Sequence, residues 1–237
     1  MPNRNLFFIL PAMVISWSLS LANSPVLADT AEQANRKALY KGQLLLLNEQ
    51  IKEKPTEPKL LLSRASINYI LGNSEDAETD FALAEAFKGD IDYSVLISRG
   101  SNYINLKKYP DAIATLTKAI AEKPNSWVAI ANRGSAYYEA GQYREALADS
   151  FKAIRLNSRG SCPHAVIGAC YLKNQQYGYA LQYLNLALTR QPKNFEALHF
   201  RGELYQKLGK PTLAAADFAA ANAAGYAPGK FFDEPAN

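Results

Sequence analysis

The sequence predicts an all-α solenoid of stacked antiparallel helix pairs. Four glycines recur at one constant interval and define a glycine column: Gly100, Gly134, Gly168 and Gly202. Tyrosine stands three residues after each glycine and forms a tyrosine column: Tyr103, Tyr137, Tyr171 and Tyr205. Further along each copy, alanine recurs at two fixed offsets from the glycine, which gives two alanine columns, represented by Ala146 and Ala153 in the copy that contains Gly134. A fixed period of this kind is typical of repeat proteins whose units stack side by side.

Each copy contains two helical segments. In the copy that starts at Trp127, apolar residues recur at steps of three and four, which places them on one helical face. A turn follows around Gly141, a residue that readily takes the left-handed conformation ending a helix. A second helix is predicted from Arg144 to Leu156. The small residues Gly134 and Ala146 allow the two helices to approach closely.

The periodicity also predicts where the repeats begin and end. Four copies are clear, and a fainter fifth copy precedes them, in which Ala65 occupies the glycine column and Asn68 the tyrosine column. The predicted segments are residues 58–92, 93–126, 127–160, 161–194 and 195–228, called repeats 1 to 5. Residues 29–57 are predicted to form one long helix that is either a degenerate half-repeat or a cap. Residues 229–237 form a C-terminal tail, in which Phe231 and Phe232 either fold back on the last helix or act as a recognition tag.

These columns resemble the tetratricopeptide repeat, a unit of about 34 residues whose pattern is an aromatic residue, Leu-Gly, Tyr, and then Ala, a large apolar residue, Ala and Pro. The resemblance covers residues 58–228. Two departures are that arginine stands where the family often has leucine, and that Ser150 occupies a position usually held by a large apolar residue. The resemblance implies a right-handed superhelix of about five repeats plus an N-terminal helix. It also implies a concave groove, lined by the first helix of each pair, that binds a protein or peptide.

The N-terminus predicts export. Arg4 is the only charged residue before Asp29, and an apolar stretch runs from Leu6 to Leu21. Small residues then precede Ala28, so residues 1–28 have the layout of a secretory signal peptide. Cleavage is predicted after Ala28, with Ala22 as the second choice. The alternative is an uncleaved membrane anchor, which is less compatible with a stretch shorter than the ~20 residues that span a bilayer. We therefore expect a periplasmic or secreted protein that contacts a membrane only if the segment is retained.

Export permits disulfides, yet the chain has two cysteines, Cys162 and Cys170, which fall two helical turns apart in one predicted helix. Two turns of helix rise roughly 11–12 Å, whereas a disulfide needs Cα atoms within ~7 Å. The sequence therefore predicts that both remain thiols.

On the first helices, the side away from the glycine and tyrosine columns is predicted to line the groove. An exposed apolar patch of this kind usually marks a binding surface. Tyr138 and Leu172 are expected to be more exposed than Tyr137 and Tyr171. The alternatives are that residues 29–57 or the tail fill the groove, or that it packs in a dimer. The candidate residues are Ile97, Ser101, Ile104, Asn105, Asn132, Ser135, Tyr138, Glu139, Ala169, Leu172, Lys173, His199, Glu203 and Gln206.

Some tetratricopeptide proteins hold chaperone C-termini with lysine, asparagine and arginine on this face. Here only Asn132 matches, because Ile97, Cys162 and Val166 replace the basic residues. A chaperone-carboxylate clamp is therefore not expected.

Several other classes of function are disfavoured. The net charge is +4 for 237 residues and no long basic run is present, so nucleic acid is not an expected partner. His164 and His199 fall at different points of successive repeats, and neither they nor the cysteines have a known zinc spacing. No phosphate-binding loop or nucleophile motif is present. We expect a non-enzymatic scaffold without cofactor or metal, and the alternative is a self-associating structural subunit of an envelope complex.

Arginine stands immediately before the glycine column in four copies, at Arg64, Arg99, Arg133 and Arg201. Aspartate follows three of them at one fixed spacing, at Asp80, Asp149 and Asp217. Repeat 2 breaks the correlation, because Thr115 stands at the aspartate position. Repeat 4 lacks both charges, with Ile167 at the arginine position and Tyr183 at the aspartate position. A charge that appears together with its opposite indicates an ion pair within each helix pair, and a basic stripe for an acidic ligand is the alternative.

Overall fold

The computed structural model describes residues 31–87, 92–157 and 159–224, and the segments proposed as signal peptide and C-terminal tail lie outside this range. The described residues form eleven α-helices and no strand, which confirms the predicted fold class. The helices are α1 Ala31–Glu53, α2 Pro58–Leu71, α3 Ser74–Ala86, α4 Tyr93–Asn105, α5 Tyr109–Glu122, α6 Trp127–Glu139, α7 Tyr143–Leu156, α8 Cys162–Lys173, α9 Tyr177–Arg190, α10 Phe195–Lys207 and α11 Pro211–Ala223.

Helices α2 to α11 form five pairs, and one pair falls in each predicted repeat. Each helix packs against the next along the chain, and each first helix also packs against the first helix of the neighbouring repeat. Three first helices begin at a side-chain cap, in which Asp92, Ser126 or Asn194 accepts a hydrogen bond from a backbone N–H of the first turn. Short turns and capped ends therefore hold the pairs in a regular stack.

The glycine column is where the two helices of a pair come closest. A Cβ atom at Gly100 would lie 2.6 Å from Leu116 Cγ, and one at Gly168 would lie 2.6 Å from Leu184 Cγ. At Gly134 the nearest atom would be Ser150 Oγ, at 3.1 Å. The unusual serine of repeat 3 therefore leaves more room than the leucines do.

Helix α1 occupies the place of a second helix, and the described residues contain no first helix that precedes it. Arg64 Nη1 donates to Asn48 Oδ1 in α1, just as Arg133 Nη1 donates to Thr117 in α5, and the sequence separation is 16 in both cases. In this register, several positions of α1 and its end match repeat 2: Tyr40, Leu47, Ile51 and Pro55 align with Tyr109, Leu116, Ile120 and Pro124.

The alanine columns of α1 differ from those of the five repeats. In repeats 1 to 5 both columns are fully or almost fully buried. In α1 these places hold Gln43, which is half-buried, and Gln50, which is exposed. Long polar side chains thus replace two of the alanines that allow close approach, while Leu39 and Leu46 on the same side of α1 are exposed. The register of α1 thus matches that of a second helix, whereas its alanine columns do not.

Two further observations concern the helices. No disulfide joins Cys162 and Cys170, which are both buried in α8, as the spacing predicts. Among the described residues, no helix is both long enough and apolar enough to cross a lipid bilayer.

Candidate functional site

The candidate groove residues divide into a buried half and an accessible half. The buried residues follow the glycine column by one or four positions, or precede it by two: Ser101, Ile104, Asn132, Ser135, Tyr138, Ala169 and Leu172. The accessible or half-buried residues are Ile97, Asn105, Glu139, Lys173, His199, Glu203 and Gln206. A ligand can therefore reach only half of the predicted groove.

The expectation that Tyr138 and Leu172 are more exposed than Tyr137 and Tyr171 is wrong. Tyr138 is 5% exposed and Leu172 is 6% exposed, whereas both column tyrosines are only partly buried. The Tyr138 ring packs edge-on against Phe200 of repeat 5, with ring centroids 5.5 Å apart. The superhelical turn brings repeats 3 and 5 together on the inner side, so their side chains cover one another.

Contacts between neighbouring first helices bury most of the remaining inner positions. Asn132 Nδ2 donates to Ser101 Oγ at 3.1 Å, and Ser135 Oγ lies 3.7 Å from Cys162 Sγ. Small polar and small apolar residues at these places let the first helices pack directly on each other. The predicted groove floor is thus an interface between repeats.

The accessible part is a charged rim formed by Glu139, Lys173, His199 and Glu203. Glu203 Oε1 lies 3.1 Å from His199 Nε2, and Glu203 Oε2 lies 3.8 Å from Lys173 Nζ. The hydrogen bond from His199, helped by Lys173, lowers the pKa of the Glu203 carboxyl. The Glu203 carboxylate is therefore stabilised by two neighbouring side chains, His199 and Lys173.

Glu139 has a different environment in the same rim. Burial raises the pKa of its carboxyl, although Tyr109 Oη donates a hydrogen bond to Glu139 Oε2 at 3.1 Å. Desolvation and Glu139 together raise the pKa of Tyr109 to about 12, so Tyr109 stays a phenol and a donor. Lys107 and Lys173 lower the pKa of Glu139 less than burial raises it, so this carboxylate can still gain from a further cationic partner.

The structure brings all three predicted arginine–aspartate pairs into contact. Each arginine donates from Nε and Nη2 to the two carboxylate oxygens of its predicted aspartate. The donor–acceptor distances are 2.7 and 2.6 Å for Arg64–Asp80, 2.7 and 3.0 Å for Arg133–Asp149, and 2.7 and 2.8 Å for Arg201–Asp217. Asp80, Asp149 and Asp217 are all buried. The arginines are thus engaged in two-pronged structural bonds rather than forming an open basic stripe.

Arg99 forms pairs that the fixed arginine–aspartate spacing did not predict. Its guanidinium reaches back to repeat 1, where Nη2 donates to Glu78 Oε1 at 2.9 Å and Nη1 donates to Glu85 Oε2 at 2.8 Å. Tyr103 Oη also donates to Glu78 Oε1, at 2.7 Å. The sequence did contain an indication of these pairs. Repeat 2 has an arginine but no aspartate at the fixed spacing, and α3 of the preceding repeat carries the two glutamates.

Repeat 4 replaces the ion pair with stacked aromatic rings. The Tyr171 ring lies 5.7 Å from Tyr183, at an interplanar angle of 27°, and 5.2 Å from Tyr179. Ile167 stands at the arginine position and is buried. In repeat 4 an apolar contact between the two helices thus replaces the arginine–aspartate pair of repeats 1, 3 and 5.

The histidines and cysteines form no recognisable reaction centre. His164 is buried, its Nδ1 lies 2.7 Å from the Gly160 carbonyl oxygen, and burial lowers its pKa. Burial also raises the pKa of the Cys170 thiol to about 12. Within the described residues, no group of three or more His, Cys, Asp or Glu residues is placed to hold a metal ion.

Comparison with known proteins agrees with this architecture. A tetratricopeptide-repeat family model matches residues 97–161. The described chain has the tetratricopeptide-repeat fold. A solved structure of TTC0263, a thermophilic TPR protein from Thermus thermophilus, superposes with a TM-score of 0.62 at 22% identity and covers 71% of this chain and 92% of that one.

Two other solved structures share the fold at lower identity. MamA residues 41 to the end from Desulfovibrio magneticus RS-1 superposes with a TM-score of 0.54 at 18% identity, covering 70% of this chain and 93% of that one. YrrB, a TPR protein with an unusual peptide-binding site, superposes with a TM-score of 0.50 at 16% identity, covering 76% of this chain and 92% of that one. A search of curated protein sequences finds no match.

Proposed function

We propose that this protein is a non-enzymatic scaffold that binds a segment of another protein at the rim of its concave face. The observation that carries the proposal is the rim itself, a row of accessible or half-buried charged side chains beside a buried floor where neighbouring first helices pack together. The recognition element is Glu139, a half-buried carboxylate that accepts a hydrogen bond from Tyr109 and lies near Lys107 and Lys173. A lysine or arginine of the bound segment compensates this charge and sets the preferred partner chemistry.

Two lines of comparison support a role in protein binding. The fold presents stacked first helices along a concave surface, which is the kind of extended surface that solenoids use to hold partners. YrrB, which shares the fold, has a peptide-binding site. No residue of the described chain is assigned a catalytic role in this proposal, and no cofactor is required.

We place this activity outside the cytoplasm, in the periplasm or the secreted fraction. The support is the sequence of residues 1–28, with a charged start, an apolar stretch and small residues before Ala28. The partner is then an exported or envelope protein, and the scaffold assists its assembly. Sequencing the N-terminus of the purified exported protein tests the cleavage, since a start at Asp29 is expected.

The function is tested by capturing partners from the exported fraction with three versions of the chain. Glu139→Gln removes the rim charge and should abolish capture of the partner that the wild type retains. Glu145→Gln makes the same change at an exposed residue on α7 and should leave capture intact. Both variants should melt close to the wild type, because Glu139 is disfavoured as a charged group in its present environment. Equal capture by the wild type and Glu139→Gln would refute the rim as the binding site.

A self-associating structural subunit is the second candidate, and a specific observation favours it. Leu39, Leu45 and Leu46 of α1 are between 61% and 69% exposed, and they lie on the first of the described helices. Light scattering on dilution tests this alternative. A mass that falls on dilution, and that Leu45→Gln with Leu46→Gln reduces to a monomer, would assign α1 to self-association. A constant monomer mass would remove this candidate.

A further inference from the structure

Repeat 1 contains a cavity of about 260 Å³ between α1, α2 and α3. Its lining is polar except for one residue: Leu44, Asn48, Arg64, Asn68, Asn73, Asp76, Thr79 and Asp80. A cavity of about 150 Å³ is large enough to bind benzene in a protein interior. The space in repeat 1 is thus large enough for one aromatic ring.

The other repeats show what occupies this place. The column tyrosine lies beside the arginine that precedes it by one helical turn, with 5.3 Å from Arg99 Cζ to the Tyr103 ring centroid. The corresponding distances are 5.6 Å for Arg133 and Tyr137 and 5.8 Å for Arg201 and Tyr205. These separations are those of a guanidinium–ring contact. In repeats 2, 3 and 5 a phenol ring therefore covers the guanidinium.

Repeat 4 locates the ring relative to the second helix. There Tyr171 contacts Tyr179 and Tyr183, which both stand on α9. The residues at the same two positions of repeat 1 are Asp76 and Asp80, and both line the cavity. The cavity therefore coincides with the site of the missing column tyrosine.

Asn68 leaves this space open because its side chain is short. It occupies the tyrosine column and is 4% exposed, with its Oδ1 accepting a hydrogen bond from Asn73 Nδ2 at 3.2 Å. Arg64 stays oriented without a tyrosine, because it is fastened to Asp80 and Asn48 by three hydrogen bonds. The guanidinium is thus preorganised for a ring that this repeat does not supply.

We propose that this cavity binds a tyrosine side chain of a partner polypeptide. The ring stacks against the Arg64 guanidinium, and the phenolic O–H donates to the Asp76 carboxylate. The polar lining selects a phenol over a plain hydrocarbon ring, because a ring without a hydroxyl would desolvate these groups without replacing their hydrogen bonds. This site is independent of the concave rim, which lies on the first helices of repeats 3 to 5.

The proposal is tested by nuclear magnetic resonance titration of the full chain with 4-methylphenol. Saturable shifts are expected at the Arg64 Nε–H and at the side-chain amides of Asn68 and Asn73, with toluene giving none. N-acetyl-tyrosinamide should bind comparably, since its backbone atoms are attached through the carbon that corresponds to the methyl group of 4-methylphenol. If 4-methylphenol binds and N-acetyl-tyrosinamide does not, the ligand is a free phenol and the polypeptide source is refuted.

Two variants assign the binding to this cavity. Asn68→Tyr supplies the missing ring from within and should abolish the titration, whereas Gln50→Tyr adds the same side chain on the exposed side of α1 and should not. Asp76→Asn removes an exposed carboxylate and should weaken binding by about tenfold, the value of one hydrogen bond to a charged group. The Asp76 variant keeps the test decisive if Asn68→Tyr does not fold. Absence of saturable shifts with 4-methylphenol, or equal binding to toluene, would overturn the proposal.

Discussion

At the scale of single residues, the arginines before the glycine column connect neighbouring repeats. Arg133 donates twice to Asp149 in α7 and once to Thr117 Oγ1 in α5, at 3.1 Å. Its Cζ also lies 5.6 Å from the Tyr137 ring centroid. One side chain on α6 is thus bonded to the second helix of its own repeat and to that of the preceding repeat. The arrangement relies on the planar fork of arginine, which lysine does not reproduce.

We predict that Arg133 and Asp149 are energetically coupled by more than about 1 kcal/mol, above the ~0–1 kcal/mol of an exposed ion pair. Asp149 is buried, so removing Arg133 leaves a carboxylate without compensation. The measurement is a double-mutant cycle with Arg133→Met and Asp149→Asn, followed by urea unfolding. Thr117→Val serves as the control, since it removes only the third hydrogen bond and should cost less. A coupling energy near zero would contradict the structural role of the pair.

At the scale of the helix pair, the glycine column sets how closely two helices approach, but its four members are not equivalent. Leu116 and Leu184 fill the space opposite Gly100 and Gly168, whereas Ser150 stands opposite Gly134. Alanine is preferred over glycine inside a helix by ~1 kcal/mol, so the sign of a substitution depends on the room available.

We predict that Gly168→Ala and Gly134→Ala have opposite outcomes. Gly168→Ala should destabilise the protein by about 1–3 kcal/mol, because its Cβ would overlap Leu184 Cγ and force the helices apart. Gly134→Ala should be neutral or stabilising by up to about 1 kcal/mol, since Ser150 requires only a small adjustment. Urea unfolding of the two variants checks the difference. Equal destabilisation by both would show that the close approach does not depend on the facing side chain.

At the scale of the whole molecule, a solenoid must protect its two ends. At the N-terminal end of the described residues, α1 packs against repeat 1 with Tyr40 and Ile51 buried, but it leaves Leu39, Leu45 and Leu46 exposed. At the other end α11 has no following repeat within the described residues, and Leu213 is 47% exposed. The C-terminal tail, residues 229–237, contains two adjacent large apolar residues, Phe231 and Phe232.

We predict that the two phenylalanines stabilise the last helix pair, so that deleting residues 229–237 lowers the melting temperature. A loss of about 1 kcal/mol corresponds to about 2–4 °C for a chain of this length. The control is Phe231→Ala with Phe232→Ala in the full-length protein, which should reproduce most of the shift. An unchanged melting temperature in both variants would instead identify the tail as a recognition tag for a partner.

The sequence by itself determined the repeat and the contacts that follow from it. Residues at a fixed offset in a periodic chain share one environment, so the spacing of Arg133 and Asp149 was enough to pair them. The same logic identified Gly134 as a close approach. The half-repeat register of α1 was also present in the sequence, but it became clear only through the bond between Arg64 and Asn48.

Only the tertiary structure decided which inner residues are accessible, and that the missing column tyrosine of repeat 1 leaves a cavity. Helical spacing identifies the side of a helix, but burial depends on how tightly successive repeats turn around the axis. That turn places Tyr138 against Phe200, two repeats further along the chain, and buries a residue that its own repeat would leave open. Likewise, the sequence shows only that Asn68 replaces tyrosine in the tyrosine column. The cavity beside Asn68 depends on how α1, α2 and α3 pack around it. Such properties arise from several elements together, so the pattern of one repeat cannot specify them.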